Sequence, residues 1–234
     1  MTGALELMRA TWPPAGARAC GPFTIPGESG GGKRVTAARC AGAPSAEEIT
    51  AAEREMDALG RQALFVVTPD QAEFDRDLAR RGYLTLDPTL ALTCPVARLS
   101  DAPPPVSGFT VWPPLQVMRD IWAEGRIGPD RVAVMERAGT PKTAILGRTD
   151  DRPAGAAFAA VHGGAAMVHA LEVRTAQRRR GLGRHMMAHA ARWAAGQGVA
   201  DLAVLVTEAN ETAIAFYRGL GMEGGRCYHY RLRP

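Results

Sequence analysis

The stretch that decides the fold is VHALEVRTAQRRRGLGR, residues 168–184. Its first six residues, 168–173, are mostly apolar and include two β-branched valines, a composition typical of a strand. Residues 178–184 are rich in arginine and glycine, and apolar residues then recur at helical spacing from Leu182 to Trp193. The sequence therefore predicts a strand, a tight turn and a long helix in succession.

The turn between this strand and this helix has the properties of an anion site. The first N–H groups of a helix have no intrahelical acceptor, and the helix dipole places positive partial charge at the same end. Gly181 and Gly183 allow the backbone to approach a ligand closely, and Arg178, Arg179 and Arg180 add positive charge. We therefore expect a pyrophosphate to bind at this turn.

Strands and helices alternate on both sides of this segment. Turn residues such as the Asp150–Pro153 run and the Gly163-Gly164 pair separate short apolar segments. The predicted strands cover residues 143–147, 154–161, 167–173 and 202–207, and helices are predicted after Pro113, near Pro129, from Gly181 and over 211–219. This alternation predicts a mixed α/β sheet.

The spacing Arg178-x-x-Gly181-x-Gly183 resembles the signature of the GNAT superfamily of acetyl-CoA-dependent N-acetyltransferases. A second block, NETAIAFYRGLGM at residues 210–222, is similar to the family's Asn-x-x-Ala-x-x-x-Tyr-x-x-x-Gly-Phe, with Met in place of the final Phe. The two blocks in this order are the specific signal, and the resemblance covers about residues 108–234.

The resemblance implies the GNAT fold, with acetyl-CoA as cosubstrate, and it implies no metal. Acetyl-CoA would lie where the strand ending at Val173 and the strand ending at Thr207 splay apart. The strand backbone would pair with the pantetheine arm, and the backbone N–H groups of residues 179–184 would hold the pyrophosphate. The cofactor-binding residues implied are Leu171, Glu172, Val173, Arg178, Arg179, Arg180, Gly181, Leu182, Gly183, Arg184 and Asn210.

The resemblance also implies that a primary amine attacks the thioester directly. Tyr217 matches the family tyrosine that protonates the leaving sulfur, although it also lies on an apolar helix face where it could simply pack. Asn210 has a second interpretation as the N-cap of the helix, and its two roles are compatible.

The general base is open between two residues. His169 lies in a segment that is similar to one in arylalkylamine acetyltransferases, where a histidine joins a proton relay through water. Strand parity places His169 on the same face as Leu171 and Val173. Glu172 is the other candidate, on the opposite face unless a β-bulge intervenes. Met167 stands where some relatives carry a glutamate base.

A proline-rich stretch, residues 100–108, predicts a stiff linker. It divides the chain into a domain of residues 1–106 and an acetyltransferase domain of residues 107–234. The first half is a faint copy of the second at a gapless offset of 139 residues, which places 39–44 on 178–183 and 63–68 on 202–207. We therefore expect an incomplete, tandem copy of the fold.

The first copy lacks the residues that the site needs. The offset places Pro44, which has no N–H, opposite Gly183. It also places Gln71 opposite Asn210 and Leu78 opposite Tyr217. We predict a degenerate acetyltransferase-like domain that does not bind CoA and that supports the active half or walls the acceptor cleft. A nearby pattern, Gly27-x-x-x-x-Gly32-Lys33, is similar to a phosphate-binding loop, but Arg34 replaces the required Ser or Thr and an apparent strand follows, so we interpret it as a hairpin turn.

Composition limits the remaining possibilities. Residues 1–107 carry 11 basic against 13 acidic side chains, and residues 108–234 carry 17 against 11, so the basic half favours an anionic partner. The four separated cysteines and the lack of a secretory signal predict a cytoplasmic protein. We expect a small-molecule or peptide amine as acceptor, bound against the first helices of the second half near Trp112, Trp122 and Arg126. We expect no nucleic acid or membrane partner, and a possible homodimer. An inactive CoA-binding sensor or scaffold and a nucleic-acid binder are the alternative functions.

Overall fold

The computed structural model describes residues 3–27, 30–99 and 101–234. The first half contains α1 (Ala4–Thr11), β1 (Ala17–Cys20), β2 (Phe23–Pro26), α2 (Lys33–Thr36), β3 (Ala38–Cys40), α3 (Ala46–Ala58), β4 (Leu64–Val67), α4 (Ala72–Arg80), β5 (Leu84–Pro95) and a 3-10 turn (Val96–Leu99). The second half contains β6 (Gly108–Val111), α5 (Gln116–Glu124), α6 (Pro129–Arg137), β7 (Lys142–Thr149), β8 (Arg152–His162), β9 (Ala165–Val173), a 3-10 turn (Thr175–Gln177), α7 (Leu182–Gly196), β10 (Asp201–Thr207), α8 (Glu211–Gly219) and β11 (Glu223–Leu232).

The strands of the described residues form one mixed sheet in the order β1-β2-β3-β4-β11-β5-β10-β9-β8-β7-β6. The last strands of the two halves are exchanged. β5, the last strand of the first half, pairs antiparallel with β10, while β11, the last strand of the second half, pairs antiparallel with β4. β5 and β11 also pair with each other. The two halves therefore share one hydrogen-bonded sheet.

A side-chain cluster fixes the exchanged strand β11 to a helix of the first half. Asp75 of α4 accepts hydrogen bonds from His229 Nε2 and Arg231 Nε, each at 2.7 Å. Burial alone raises the pKa of Asp75, but the hydrogen bonds from Arg231 and His229 outweigh burial and lower it below its usual range.

Helices cover both faces of the sheet. On one face α7 packs against the strands of the second half through Leu182, Met186 and Ala190, all buried. On the other face lie α5, α6 and also α1, which belongs to the first half but packs on β8 and β9. We call these the α7 face and the α1 face. The amino-terminal helix thus lies directly beside the segment that the sequence analysis singled out.

The predicted elements of the second half are present with small shifts at their ends. The helix predicted over 211–219 is α8, and the four predicted strands correspond to β7, β8, β9 and β10. The predicted linker begins at Ser100, which lies outside the described residues, and residues 101–107 form neither helix nor strand. No helix in the described ranges is long and apolar enough to cross a membrane.

The predicted offset of 139 residues between the two halves is correct for the later elements of the first half. It is wrong by three residues for the earlier ones. The offset of 139 aligns α4 with α8 and the start of β5 with the start of β11. The helices α3 and α7 also correspond, and their N-caps are Ser45 and Gly181. The offset between these two residues is 136, not 139. Gly42 and Pro44 therefore lie three residues away from the positions that the gapless register gave them.

Candidate functional site

β9 and β10 separate where the sequence analysis expected a gap. Residues 165–168 of β9 pair in parallel with residues 201–204 of β10, and the pairing ends at Val168 and Val204. Both strands continue, to Val173 and Thr207, without pairing to each other. The edge of β9 that faces β10 is therefore free to pair with an extended ligand.

A β-bulge reorients the side chains along the gap. Ala170 and Leu171 stand together opposite Ala157 of β8, and Ala170 has a left-handed φ of 52°. Trp122 of α5 supports this bulge, because its Nε1 donates to the carbonyl of Ala170 at 2.9 Å. Regular alternation from residue 169 to residue 173 is therefore broken.

The bulge overturns the parity predicted for His169. Leu171 and Val173 pack against the core of the α7 face, as expected. His169 instead contacts aromatic rings of the α1 face, and Glu172 lies against Gly125 at the end of α5. His169 and Glu172 therefore share the α1 face, and neither lies on the face of Leu171.

The start of α7 has the open backbone that an anion site requires. Gly181 is the N-cap with a φ of 82°, and no side chain caps the helix. The N–H groups of Arg184 and His185 donate to Gly181, at 3.0 and 3.2 Å. Within the described residues, the backbone N–H groups of positions 179–183 have no acceptor. The available cradle is therefore 179–183, and the Arg184 N–H, predicted to be part of it, is already used within the helix.

The three arginines of the turn are engaged differently. Arg178 folds back, donating from Nε to the carbonyl of Val173 and pairing with Glu172 at 2.8 Å. Arg180 makes a bidentate pair with Asp150. Arg179 is exposed and has no ion pair or side-chain hydrogen bond among the described residues. Arg178 and Arg180 shape the turn, and Arg179 is the side chain free to meet a phosphate.

The remaining residues predicted to bind the cofactor have structural contacts within and between α7 and α8. Leu182 is buried in the core of the α7 face. A Cβ on Gly183 would stand 3.1 Å from the ring of Phe216, so this glycine serves helix packing as well as backbone access. Arg184 donates to the carbonyl of Gly219, and Asn210 caps α8 by accepting from the Ala213 N–H at 3.1 Å. The N-cap interpretation of Asn210 is thus observed.

Tyr217 lies half-buried on α8, beside the core of the α7 face. Its ring packs on Phe216, and its hydroxyl has no partner among the described residues. Burial, only partly offset by the charge of Arg34, raises the pKa of Tyr217 to about 12. The phenol therefore keeps its proton at neutral pH and has it available for a leaving group.

His169 is buried beneath the amino-terminal helix. Its ring stacks near Trp12, with ring centroids 5.0 Å apart, and its Nε2 lies 2.8 Å from Thr11 Oγ1. We assign the ring proton to Nε2 of His169, because the single hydroxyl proton of Thr11 is directed to the carbonyl of Leu7 at 2.7 Å. Nδ1 is buried and has no hydrogen-bond partner among the described residues. Burial, together with the nearby charge of Arg34, lowers the pKa of His169 well below its usual 6.5, so the ring is neutral.

The corresponding turn of the first half is closed by its own side chains. Ser45 and Glu48 form a capping box at the start of α3, so a carboxylate lies where the second half leaves free N–H groups. Gln71 bridges the ends of β3 and β4, because its amide donates to Cys40 O and accepts from the Thr68 N–H. A cavity of about 560 Å³ remains beside this bridge, and Asp70 and Glu73 line it.

A second cavity, of about 340 Å³, opens on the α1 face at the gap between β9 and β10. Ala170 and Thr207 border the gap. We call this the acceptor cavity, and its other lining residues are Trp12, Gly31, Gly32, Lys33, Arg34, Asp87, Thr89, Ile127, Arg131, Tyr228 and Tyr230. The first half therefore supplies much of its wall.

Sequence reasoning missed most of the residues around the acceptor cavity. It expected Trp112, Trp122 and Arg126, but Trp122 is buried under the bulge and none of the three lines the cavity. The loop interpreted as a hairpin turn before a strand leads instead into helix α2, and Glu28 and Ser29 within it lie outside the described residues. The signal was the Lys33-Arg34 pair, which the phosphate-loop comparison discounted.

Comparisons with known proteins agree with this geometry. The acetyltransferase (GNAT) family model matches residues 114–222. A GCN5-related N-acetyltransferase from Kribbella flavida has a similar structure, with a TM-score of 0.72 and 18% identity over 100% of this chain and 97% of that one. A tandem GNAT protein from the clavulanic acid biosynthesis pathway has a TM-score of 0.64 and 14% identity, over 90% of this chain and 77% of that one.

A functionally unknown conserved protein from Staphylococcus epidermidis has a TM-score of 0.67 and 8% identity, over 92% of each chain. No curated protein matches the sequence significantly. At these identities the similar structures show the fold alone. The family match is limited to residues 114–222, within the second half. Residues 114–222 match the GNAT acetyltransferase family model, and the whole chain has the tandem GNAT fold.

Proposed function

We propose that the protein transfers an acetyl group from acetyl-CoA to a primary amine, at one site formed in the second half. The observation that carries the proposal is the uncapped, glycine-containing start of α7 at the end of the gap between β9 and β10. Free N–H groups and a helix dipole at that end favour a pyrophosphate. The unpaired edge of β9 leads from it toward Tyr217 and the acceptor cavity.

The transfer needs one new bond and two proton movements. The amine nitrogen attacks the thioester carbon, the C–N bond forms and the C–S bond breaks. The amine loses a proton, and the departing thiolate takes one from the hydroxyl of Tyr217, which is protonated and unpartnered. A backbone N–H near Leu171 holds the oxyanion.

For the deprotonation we propose a relay through water in which His169 takes part. Its unpartnered Nδ1 can accept a hydrogen bond from a relay water, and because burial lowers its pKa, the ring passes the proton on and does not keep it. His169 does not line the acceptor cavity, since Trp12 lies between them, so this role requires a water relay past Trp12. Glu172 is the less suitable candidate, because its carboxylate is paired with Arg178.

We also propose that residues 1–106 are a degenerate copy that does not bind CoA and that residues 107–234 are the catalytic domain. The capping box at α3 and the acidic Glu47 and Glu48 in its first turn disfavour a polyphosphate there. The first half then contributes its strand β5, helix α1 and the wall of the acceptor cavity.

Calorimetry with acetyl-CoA tests the proposal, and the chain offers a matched pair of variants. Gly183 and Glu47 both occupy the second position of their helices, where proline is tolerated but removes one N–H. Gly183→Pro should abolish binding, and Glu47→Pro should leave one site per chain. Gly183→Ala is a further control, because it adds a Cβ against Phe216 but keeps the backbone N–H. It separates the effect of losing the N–H donor from the effect of crowding Phe216.

Binding at one site, followed by thiol release in the presence of amines, supports the proposed function. One-site binding without thiol release from any amine would favour the CoA-binding sensor instead. Two sites per chain, or equal loss in the two proline variants, contradicts the inactive first half.

A further inference from the structure

Among the described residues, the side chains that line the acceptor cavity carry an excess of positive charge. It is lined by Lys33, Arg34, Arg131 and a single carboxylate, Asp87. Lys33 pairs with Asp87 at 2.8 Å, so these two satisfy each other. Neither Arg34 nor Arg131 is paired with a carboxylate among the described residues.

Arg34 brings its charge to the gap itself. Its guanidinium donates to the carbonyl of Leu205 at 3.0 Å, just beyond the last residue of β10 that pairs with β9. From this position its charge contributes to lowering the pKa of His169 and opposes the raised pKa values of Tyr217 and Tyr230. An arginine of the first half therefore lies at the gap, hydrogen-bonded to β10 of the second half.

Arg131 is exposed on α6, and its guanidinium lies over the backbone of Gly32, where a Cβ would stand 3.5 Å from Nη2. Gly32 has a φ of 90°, so the loop can pass beneath the arginine in a conformation that glycine adopts without strain. The two unpaired guanidinium groups thus belong to different halves and line one cavity.

We propose that the acceptor amine carries an anionic group, a carboxylate or a phosphate, which Arg34 and Arg131 bind in the acceptor cavity. A ligand with positive charge alone would meet three cations and one paired carboxylate and would be repelled. An anion on the same molecule removes this penalty and holds the amine in place by charge-assisted hydrogen bonds. Polyamines and aminoglycosides are therefore poor acceptors.

The size and the other walls fit a small molecule with an apolar part. A cavity of about 340 Å³ lies at the lower end of the range for small-molecule sites. Trp12, Ile127, Tyr228 and Tyr230 supply apolar and aromatic surface beside the charges. An amino acid or a phosphorylated amine combines these features.

This inference rests on the proposed function, and matched acceptors test it. Thiol release from acetyl-CoA is measured with L-tyrosine and tyramine, with phosphoethanolamine and ethanolamine, and with spermidine. We expect kcat/KM to be about 10- to 100-fold higher for the anionic member of at least one pair, which also distinguishes a carboxylate from a phosphate. The Arg131→Gln change should remove that difference, Arg131→Lys should keep most of it, and Arg76→Gln, on the exposed face of α4, should leave it unchanged.

Equal rates for anionic and neutral amines, or a preference for spermidine, would overturn the inference and leave the transferase intact. Binding is measured separately, by calorimetry of the CoA-loaded protein with N-acetyl-L-tyrosine and with N-acetyltyramine. Tighter binding of the anionic product without turnover of any amine supports the inference and contradicts the transferase. If neither binding nor turnover prefers the anionic member of any pair, the inference is wrong.

Discussion

The hydroxyl of Thr11 and the imidazole of His169 lie 2.8 Å apart, Oγ1 to Nε2, although 158 residues separate them in the sequence. Thr11 ends helix α1 of the first half, and His169 lies on β9, the strand that borders the proposed active site. The first half thus reaches into the second through a buried hydrogen bond as well as through the exchanged strands. A change in α1 is therefore expected to affect the region around the gap between β9 and β10.

Replacing Thr11 by valine should lower the free energy of unfolding by about 1–3 kcal/mol, because the N–H of His169 would be buried without an acceptor. Urea denaturation at neutral pH measures the effect. Thr36→Val is the matched control, since the Thr36 hydroxyl also donates to the carbonyl four residues earlier but has no second side-chain partner among the described residues. Equal effects in both variants would mean that the contact with His169 contributes nothing.

Stability should fall as the pH drops below about 6.5. Burial is the main cause that lowers the pKa of His169 in the folded protein. Below pH 6.5 this histidine is therefore protonated in the unfolded chain but not in the folded one, which favours unfolding. Burial also lowers the pKa of His189, which adds a loss of the same sign. Unfolding measured from about pH 8 to pH 5 should show a smaller loss for His169→Gln than for the parent.

Arg179→Gln should weaken CoA binding about 10-fold, because this arginine has no side-chain partner among the described residues and is free to bind a phosphate. Arg180→Gln should weaken binding less, since Arg180 is already held by Asp150 and Gln177. Calorimetry with CoA at fixed ionic strength compares the two. The reverse order of effects would mean that Arg180 leaves Asp150 for the ligand.

Tyr217→Phe should lower kcat by about 100-fold or more while leaving the affinity for acetyl-CoA nearly unchanged, because only the proton donor is lost. Burial raises the pKa of Tyr217 to about 12, so ionisation of this phenol should not reduce turnover anywhere near neutral pH. Measuring kcat and the Kd for acetyl-CoA in the parent and in Tyr217→Phe tests this prediction. Parallel losses of affinity and turnover would favour a packing role for the ring.

Asp75→Asn should destabilise the protein by about 1–3 kcal/mol, because two charge-assisted hydrogen bonds from β11 lose their anionic acceptor. Asp77→Asn is the control on the same helix, where the carboxylate pairs only with exposed Arg80. Urea unfolding should remain a single transition in all three proteins, since the exchanged strands couple the halves. Separate transitions for the two halves would contradict that coupling.

Local chemistry was predictable from the sequence. Gly181, Gly183 and the adjacent arginines predicted the turn before α7, and Asn210 predicted the start of α8, because caps and tight turns depend on neighbouring residues. The bulge at Ala170 was not predictable in the same way. It depends on register with β8 and on a hydrogen bond from Trp122, which is distant in sequence. For that reason the face of His169 was predicted wrongly.

The first half shows the same division. The sequence already showed that the first half lacks a matching turn. The gapless alignment attributed this to Pro44, which has no N–H. In the structure the start of the helix is instead occupied by the capping box of Ser45 and Glu48. Small insertions shift register without changing the pattern of apolar residues, so the copy was recognised more accurately than it was aligned.

The sequence by itself determined the alternation of strands and helices, the glycine- and arginine-rich turn before α7 and the family match of residues 114–222, because each follows from residues close together along the chain. Only the tertiary structure decided the exchange of β5 and β11, the burial of His169 under α1 and the meeting of Arg34 with Arg131. These features join residues from opposite halves. Contacts of that kind arise from the packing of the whole sheet and its helices, which no local pattern encodes.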